Sequence, residues 1–219
     1  MNETVLTPFL FRHASKDFDP DRKIPEDQFL TILEAGRLAP SSFGFEPWKF
    51  LIVQNPALRA ELHRHTWGGK KQIPNCSHLV VYLAHKRPRL LPESDYIQSS
   101  MREVLQLPDD IIALKTDYYG NFLRSDFGMI DNEMRLFEWS CRQAYIALAN
   151  MMTAAAMMAI DSCALEGFVE ADLNAAVKQH LQVDTDQFGV ACMCAFGYRV
   201  RPPRPKARHS MENVVRWYD

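Results

Sequence analysis

The stretch LAPSSFGFEPWKFLIV, residues 38–53, runs from the end of a helix through a loop into a buried strand. Upstream, Phe29, Ile32 and Leu33 recur at helical spacing behind Pro25, and proline is favoured at a helix start. The prolines and small residues of the quoted stretch end that helix, and the apolar run after them is typical of a strand. The sequence therefore predicts a loop of accessible backbone and hydroxyl groups directly before a sheet strand.

Two further strands are predicted at residues 78–84 and 188–198, where apolar residues run together. Residues 165–168 are predicted to form a turn, and the last apolar residues, 214–218, could form an edge strand. The predicted helices cover residues 4–12, 56–66, 92–127 with a break at Pro108, 131–160 and 172–181. Helices outnumber strands and do not alternate with them, which indicates the α+β class and not a doubly wound parallel sheet.

The composition is that of an ordinary globular protein. The chain has 219 residues, of which 47% are hydrophobic and 24% charged, and its net charge is −2. This excludes disordered, collagen-like and disulfide-scaffold proteins, and it argues against a chain-wide basic field for nucleic acid or a membrane surface. The chain has only 9 glycines, with neither a GxGxxG nor a GxxxxGK[ST] motif. A nucleotide would therefore have to be held without a glycine-rich loop.

The same sequence predicts a cytoplasmic protein without a metal site. The N-terminus lacks a signal peptide's features, and the apolar stretch 144–160 is short for a membrane span. The five cysteines form no CxxC pair and are expected to be buried thiols. His63 and His65 point apart on a helix and are expected to be solvated.

Three segments carry residues suited to binding chemistry. Residues 12–16 combine two cations with a hydroxyl, and residues 39–48 expose backbone and hydroxyls before a strand. Residues 199–208 hold five cations and no acid, with prolines that stiffen the backbone. Each segment can also be explained without a binding site. Residues 12–16 could be a solvated helix end, residues 39–48 a turn, and residues 199–208 a solvated or nucleic-acid-binding tail.

Taken together, these segments resemble the oxygen-insensitive nitroreductase family over nearly the whole chain. The resemblance rests on seven pieces in sequence order: Arg12–Phe18, Leu38–Trp48, Ser77-His78, Trp139-x-x-x-Gln143-x-Tyr145, Glu166-Gly167-Phe168, Gly197-Tyr198-Arg199 and Lys206-x-Arg208. Four positions depart from the family's usual residues: Ala14, Gly69, Ala164 and the segment 43–46.

The resemblance implies a fold, an assembly and an activity. The fold would be a central, mainly antiparallel sheet flanked by helices, with residues 1–219 in a single domain. The assembly would be a homodimer in which an arm of about residues 200–219 wraps the other subunit. The activity would be FMN-dependent oxidation of NADH or NADPH, with ping-pong hydride transfer through flavin N5 to nitroaromatics, quinones or pterin-like acceptors.

The resemblance also implies roles for particular residues. Arg12, Lys206 and Arg208 would hold the flavin phosphate, and Lys16 would approach the N1–C2 edge, where a cation raises the reduction potential. The remaining residues implied to bind FMN are His13, Ser15, Pro40, Ser41, Ser42, Gly44, Gly69, Gln72, Ala164 and Leu165, together with Glu166 and Gly167 beside N5. Pro40, Ser41 and Ser42 would reach across from the other subunit. The implied substrate pocket comprises Phe43, Tyr118, Tyr119, Phe122 and Phe127, and at least one of the last four is expected to gate the substrate.

Two other functions remain open at this stage. The same FMN fold could perform a different reaction, such as dehalogenation, azoline oxidation or flavin cleavage. A non-enzymatic module that binds nucleic acid through the basic tail is the second alternative, and the near-neutral net charge disfavours it.

Overall fold

Four antiparallel strands form the sheet of the computed structural model, which describes residues 2–219. The strands are β1 (Trp48–Val53), β2 (His78–His85), β3 (Asp161–Leu165) and β4 (Phe188–Gly197), and their order in the sheet is β1-β2-β4-β3. The register places Leu51 opposite Val81 and Val81 opposite Met193. The long strands β2 and β4 are thus central, and β1 and β3 are the two edges.

Helices surround this sheet. They are α1 (Glu3–Phe11), α2 (Glu26–Arg37), α3 (Pro56–Arg64), α4 (Gln72–Asn75), α5 (Arg87–Leu90), α6 (Asp95–Ser99), α7 (Asp109–Asn121), α8 (Glu133–Met157), α9 (Glu170–Leu181) and α10 (Met211–Val214). One π-helical turn extends α6 over Ser100–Val104 and another extends α7 over Phe122–Asp126, and 3₁₀ turns cover Ser42–Gly44 and Trp67–Gly69. None of the described helices is long and apolar enough to cross a membrane.

Each face of the sheet buries its own hydrophobic cluster. Because side chains alternate along a strand, Val81 and Met193 face one cluster while Val80 and Cys194 face the other. The first cluster includes residues of α3 and α9, and the second includes residues of α2 and α8. A third cluster packs α5, α6 and α7 around the buried ring of Tyr119. The α+β class and the antiparallel sheet are therefore confirmed.

The sequence did not predict the strand β3. Residues 131–160 were expected to be one helix followed by a turn at 165–168, but the helix ends at Met157 and residues 161–165 pair with β4. The sequence Asp-Ser-Cys-Ala-Leu contains no β-branched or aromatic residue, so it gives no local strand signal. Its pairing with β4, between residues about 30 apart in sequence, makes it a strand.

The C-terminal arm, residues 200–219, lies exposed on the described chain. The expected strand at residues 214–218 does not form within the single chain. Met211–Val214 is instead one helical turn, and the residues after it belong to no helix or strand. Trp217 and Tyr218 are each 83% exposed, so the apolar end of the arm buries little surface against its own chain.

Candidate functional site

The N-terminal segment that follows α1 lies alongside the edge strand β3. Ala14 bridges Ser162 in parallel fashion, and the amide of Ser15 donates to the carbonyl oxygen of Ser162 at 3.3 Å. Ser15 is buried, and its hydroxyl donates to the carbonyl oxygen of Asp17 at 2.9 Å. The side chains of residues 12–16 are therefore held beside the strand that leads to Glu166 and Gly167.

A groove of about 1080 Å³ lies between this segment and the first half of the arm. Seven of its lining residues are lysine or arginine: Arg12, Lys16, Lys71, Arg201, Arg204, Lys206 and Arg208. Asp17 is its one acidic lining residue, and it is already engaged by the side-chain amide of Asn75 at 2.9 Å and by Lys71 at 4.0 Å. The groove consequently carries a positive charge that its own residues leave largely unbalanced.

Lys206 lies close to two of the other cations, Arg12 and Arg208. The pKa of Lys206 is lowered, first by burial and then by the charges of Arg12 and Arg208. The Lys206 ammonium also donates to the carbonyl oxygen of Arg12, which joins the arm to the N-terminal segment. A phosphate bound here would relieve the repulsion and accept charge-assisted hydrogen bonds from arginine.

A buried ion pair fixes the base of the arm to β3. The Asp161 carboxylate is only 3% exposed; one oxygen lies 2.8 Å from the Arg199 guanidinium and the other accepts from the Arg199 amide at 2.9 Å. His13 Nδ1 lies 3.6 Å from the same carboxylate, and the pKa of His13 is lowered, mainly by burial and then by Arg199. Asp161 therefore joins the N-terminal segment, β3 and the arm at one point.

The turn after β3 is held by two contacts. The amide of Gly68 donates to the carbonyl oxygen of Gly167 at 2.7 Å. On the other side, the Tyr145 hydroxyl in α8 donates to the Glu166 carboxylate at 2.6 Å. Burial, together with this hydrogen bond, raises the pKa of Tyr145, so the hydroxyl keeps its proton. The backbone of Glu166 and Gly167 is thus fixed between α8 and the loop 66–69.

Gly69 and Gln72 lie next to this turn. Both are buried, and the Gln72 amide nitrogen is 3.9 Å from the Cys163 sulfur in β3. The Cys163 thiol has a raised pKa because of burial, an effect opposed by Lys16 and Arg12. In β3 itself, Ala164 is exposed and Leu165 buried. The structure therefore gathers most of the expected cofactor residues around β3, the N-terminal segment and the arm.

The loop carrying Pro40, Ser41, Ser42 and Gly44 stands apart from the groove. None of these residues lines it. The Ser42 amide donates to the Gln143 side chain at 2.9 Å, and the Ser41 hydroxyl accepts from the Glu46 amide at 2.9 Å. The described chain thus holds this loop against α8 and does not bring it to the other expected cofactor residues.

The five aromatic residues expected to form a substrate pocket divide into two kinds. Tyr119 is fully buried, and its hydroxyl donates to the Leu90 carbonyl oxygen at 2.9 Å. The Phe43 ring packs edge-on against the Tyr119 ring, and the Phe122 ring is stacked on it. Tyr118 is 61% and Phe127 45% exposed. Tyr119 is consequently a core residue of the helical layer, whereas Tyr118 and Phe127 present rings to solvent.

Several residues of this site were not singled out from the sequence. Asp161, Gly68 and Lys71 all belong to it, and Arg201 and Arg204, which the basic segment 199–208 included without a role of their own, line its groove. The adjacent glycines 68 and 69 were the one available signal, because paired glycines indicate a close backbone approach. The role of Asp161 had no local signal, since its partners lie far away in the sequence.

The chain is similar to known proteins over most of its length. Residues 10–198 match the nitroreductase family. A Bacillus subtilis (strain 168) protein named "Putative NAD(P)H nitroreductase YfkO" is 43% identical over 97% of this chain and 96% of its own length. A Staphylococcus aureus (strain USA300) protein named "Putative NAD(P)H nitroreductase SAUSA300_2462" is 44% identical over 99% of this chain and 96% of its own length.

Solved structures show the same fold at lower identity. A nitroreductase-like protein from Streptococcus mutans superposes with a TM-score of 0.79 at 19% identity and full coverage of both chains. A structure from Exiguobacterium sibiricum 255-15, described as a nitroreductase in complex with FMN, superposes with a TM-score of 0.78 at 16% identity, covering 98% of this chain and 97% of that one. With a family match across residues 10–198 and relatives above 40% identity over nearly the full length, this chain belongs to the nitroreductase family.

Proposed function

We propose that this protein is an FMN-dependent NAD(P)H oxidoreductase of the nitroreductase type. The observation that carries the proposal is the groove beside β3, which is lined by seven lysine and arginine residues and by one carboxylate, Asp17. Asp17 already contacts Asn75 and one of the seven cations, Lys71. The names of its relatives and the FMN complex of a structural neighbour support the same cofactor and co-substrate. FMN has one phosphate and no second nucleotide, which suits a cation cluster and needs no glycine-rich loop.

Arg12, Lys206 and Arg208 hold the phosphate in this proposal. Arg12 and Lys206 are already joined by a hydrogen bond, and all three side chains line the groove. Arginine provides planar paired donors and lysine a point charge, so the three together match a phosphate group. His13 and Ser15 support this cluster from the strand side, through Asp161 and through the pairing with Ser162.

The flavin ring system would lie toward β3 and the following turn. When bound, FMN supplies the reversible acceptance of a hydride from NADH or NADPH and its transfer to an oxidant. Lys16 places a positive charge at this end of the groove, which favours the reduced cofactor. Gln72 provides a side-chain amide, and Gly167 provides a backbone held by Gly68 and by the Glu166–Tyr145 hydrogen bond.

A second copy of the chain completes the site. The strand β1 leaves one edge unpaired, and beside it lies an apolar surface formed with α2 that includes Leu30 and Ile52, which are 56% and 37% exposed. The arm ends in residues 215–219, which are exposed on their own chain. Residues 200–219 would wrap the partner and bury these apolar side chains, and residues 40–44 would reach the partner's flavin. Residues 1–219 then form one domain with a swapped arm.

The electron acceptors are planar aromatic compounds: nitroaromatics, quinones or pterins. Tyr118 and Phe127 are exposed aromatic side chains next to the helical layer of α7, and either could cover a stacked acceptor. Catalysis here would depend on holding donor and acceptor in reacting geometry and on excluding water.

The five cysteines are buried and unpaired in the described residues, which fits a reducing cytoplasm.

The experiment is a charge reversal in the phosphate cluster. Arg208→Glu should abolish FMN binding, measured by the absorbance of the purified protein and by titration with added FMN. The matched control is Lys178→Glu, which makes the same charge change at an exposed position in α9, outside both the groove and the arm. The control should retain FMN, and both variants should elute as the dimer.

Two results would contradict the proposal. One is wild-type protein that is colourless and takes up no added FMN. The other is unchanged FMN occupancy in Arg208→Glu, which would place the phosphate elsewhere. If the flavin-loaded protein oxidises neither NADH nor NADPH with a quinone acceptor, the cofactor assignment stands but the proposed reaction is wrong.

A further inference from the structure

A second cavity, of about 710 Å³, lies where β1 ends and β2 begins. It shares no lining residue with the groove beside β3. Its walls come from the first residues of β2, from α3 and α4, and from Lys23 in the loop before α2. A volume of this size is typical of small-molecule sites. The candidate flavin site does not use it.

The charges around this cavity are all positive. Lys23 and Arg59 line it, and no aspartate or glutamate does. The Arg59 guanidinium donates to the backbone oxygens of Val53, Cys76 and Ser77, at 2.7, 2.8 and 2.8 Å, and also to the Gln54 side chain. These acceptors are neutral, so they fix the guanidinium and leave its charge uncompensated. Within residues 2–219, neither Lys23 nor Arg59 forms an ion pair.

The two charges act on the surrounding groups. Burial, followed by the charges of Arg59 and Lys23, lowers the pKa of His78 to about 4. The same two charges oppose the effect of burial on Cys76, whose thiol has a pKa raised to about 11. His78 and Cys76 are thus both subject to the positive charges of Arg59 and Lys23.

His78 presents a hydrogen-bond donor in its neutral form. The Ser77 hydroxyl oxygen accepts from the Ile24 amide at 2.8 Å and lies 3.0 Å from His78 Nδ1. With Nδ1 accepting, the neutral ring carries its proton on Nε2. The ring is stacked on Phe29 with centroids 3.7 Å apart, which fixes its orientation.

Part of the wall is apolar. Pro56, Ala60, Ile73 and Pro74 line the cavity together with the polar side chains of Gln54 and His63. We propose that this cavity is a binding site for a small phosphate monoester with an apolar or aromatic body. The two permanent charges match a dianion, Lys23 and the His78 Nε2–H supply direct donors, and the apolar walls contact the body of the ligand. The inference does not depend on the proposed flavin function.

Phenyl phosphate is a suitable probe, titrated by isothermal titration calorimetry into the full-length protein saturated with FMN, so that the groove beside β3 is already occupied. Saturable 1:1 binding is expected. Lys23→Gln should weaken it about tenfold, the effect of losing one charge-assisted hydrogen bond. His78→Phe should weaken it by a similar factor, because phenylalanine keeps the stacking on Phe29 and lacks the donor. Lys23 is exposed, so its substitution leaves the fold intact.

Two controls locate the site. Lys178→Gln makes the same charge change at an exposed position in α9 and should leave affinity within twofold of wild type. Arg208→Gln removes one cation from the groove beside β3 and should also leave binding at the second cavity unchanged. The proposal is overturned if no saturable binding occurs, or if Arg208→Gln removes binding that Lys23→Gln leaves intact.

Discussion

Gly68 and Gly167 touch backbone to backbone, and neither has room for a side chain. The Gly68 amide donates to the Gly167 carbonyl oxygen at 2.7 Å. A Cβ atom on Gly68 would lie 2.9 Å from Gly167 Cα, and one on Gly167 would lie 2.7 Å from Gly68 Cα. Real Cβ atoms do not approach backbone this closely, so the contact exists only because both residues are glycine. It fixes the loop carrying Gly69 to the turn after β3.

Gly68→Ala is therefore expected to displace the turn from its position beside the flavin site. Separating the two backbones costs about 1–3 kcal/mol of stability, the usual range for overpacking. FMN should bind at least tenfold more weakly, measured by fluorescence titration, with urea unfolding giving the stability change.

The control for this substitution is Gly120→Ala in α7. An added Cβ there meets the Arg124 guanidinium, the movable end of an exposed side chain. Alanine also favours a helix over glycine by about 1 kcal/mol, so this variant should be as stable as wild type or more so. Equal FMN affinity in Gly68→Ala and Gly120→Ala would show that the glycine contact does not position the site.

Arg199→Leu should leave the buried Asp161 carboxylate without its main partner. Removing one member of a buried pair costs about 3–5 kcal/mol, because the remaining charge stays desolvated. The base of the arm should detach from β3, and protease cleavage within residues 200–208 should become faster. The double variant Arg199→Leu/Asp161→Leu should recover part of the lost stability, as seen by thermal unfolding. Absence of any recovery would mean that the two side chains act independently.

Tyr145→Phe removes one hydroxyl and with it the 2.6 Å hydrogen bond to Glu166. The turn then loses its attachment to α8, and we expect hydride transfer from NADPH to slow about fivefold, equivalent to about 1 kcal/mol in the barrier. Stopped-flow reduction of the bound flavin measures this step alone. Glu166→Ala removes the acceptor and should produce a similar loss, and the double variant should be no slower than either single variant. Additive losses would indicate that the hydroxyl acts through another group.

Acid should destabilise the fold through its buried histidines. The His85 side chain is only 2% exposed. Burial, followed by the charges of Arg89 and Lys49, lowers the pKa of His85 to about 3. The unfolded chain takes up this proton near pH 6.5 and the folded chain does not, so stability is complete above pH 6.5 and declines as the pH falls toward 3. The slope approaches about 1.4 kcal/mol per pH unit for such a group.

The check is urea unfolding between pH 7 and pH 4. His85→Gln cannot gain the proton, so its stability should fall less steeply over this range than that of wild type. His209→Gln, on the exposed arm, should follow the wild-type curve. If His85→Gln and wild type show equal slopes, His85 is not responsible for the loss.

Local sequence patterns predicted most of the elements. The strand at residues 48–53 is present as predicted, and those at 78–84 and 188–198 differ by a residue at the end. Helical spacing with Pro25 at the start gave α2, because helix periodicity and capping involve residues within one or two turns. The cationic character of the arm was also evident, since charge is a property of the residues themselves.

The sequence by itself determined the fold class, the family resemblance and the residues available for chemistry. Only the tertiary structure decided which of them meet. The pairing of β3 with β4, the burial of Tyr119 and the joining of His13, Asp161 and Arg199 all depend on contacts between distant parts of the chain. Such contacts form when burial and hydrogen bonding compensate for the entropy of closing long loops, and no short stretch of sequence encodes that balance.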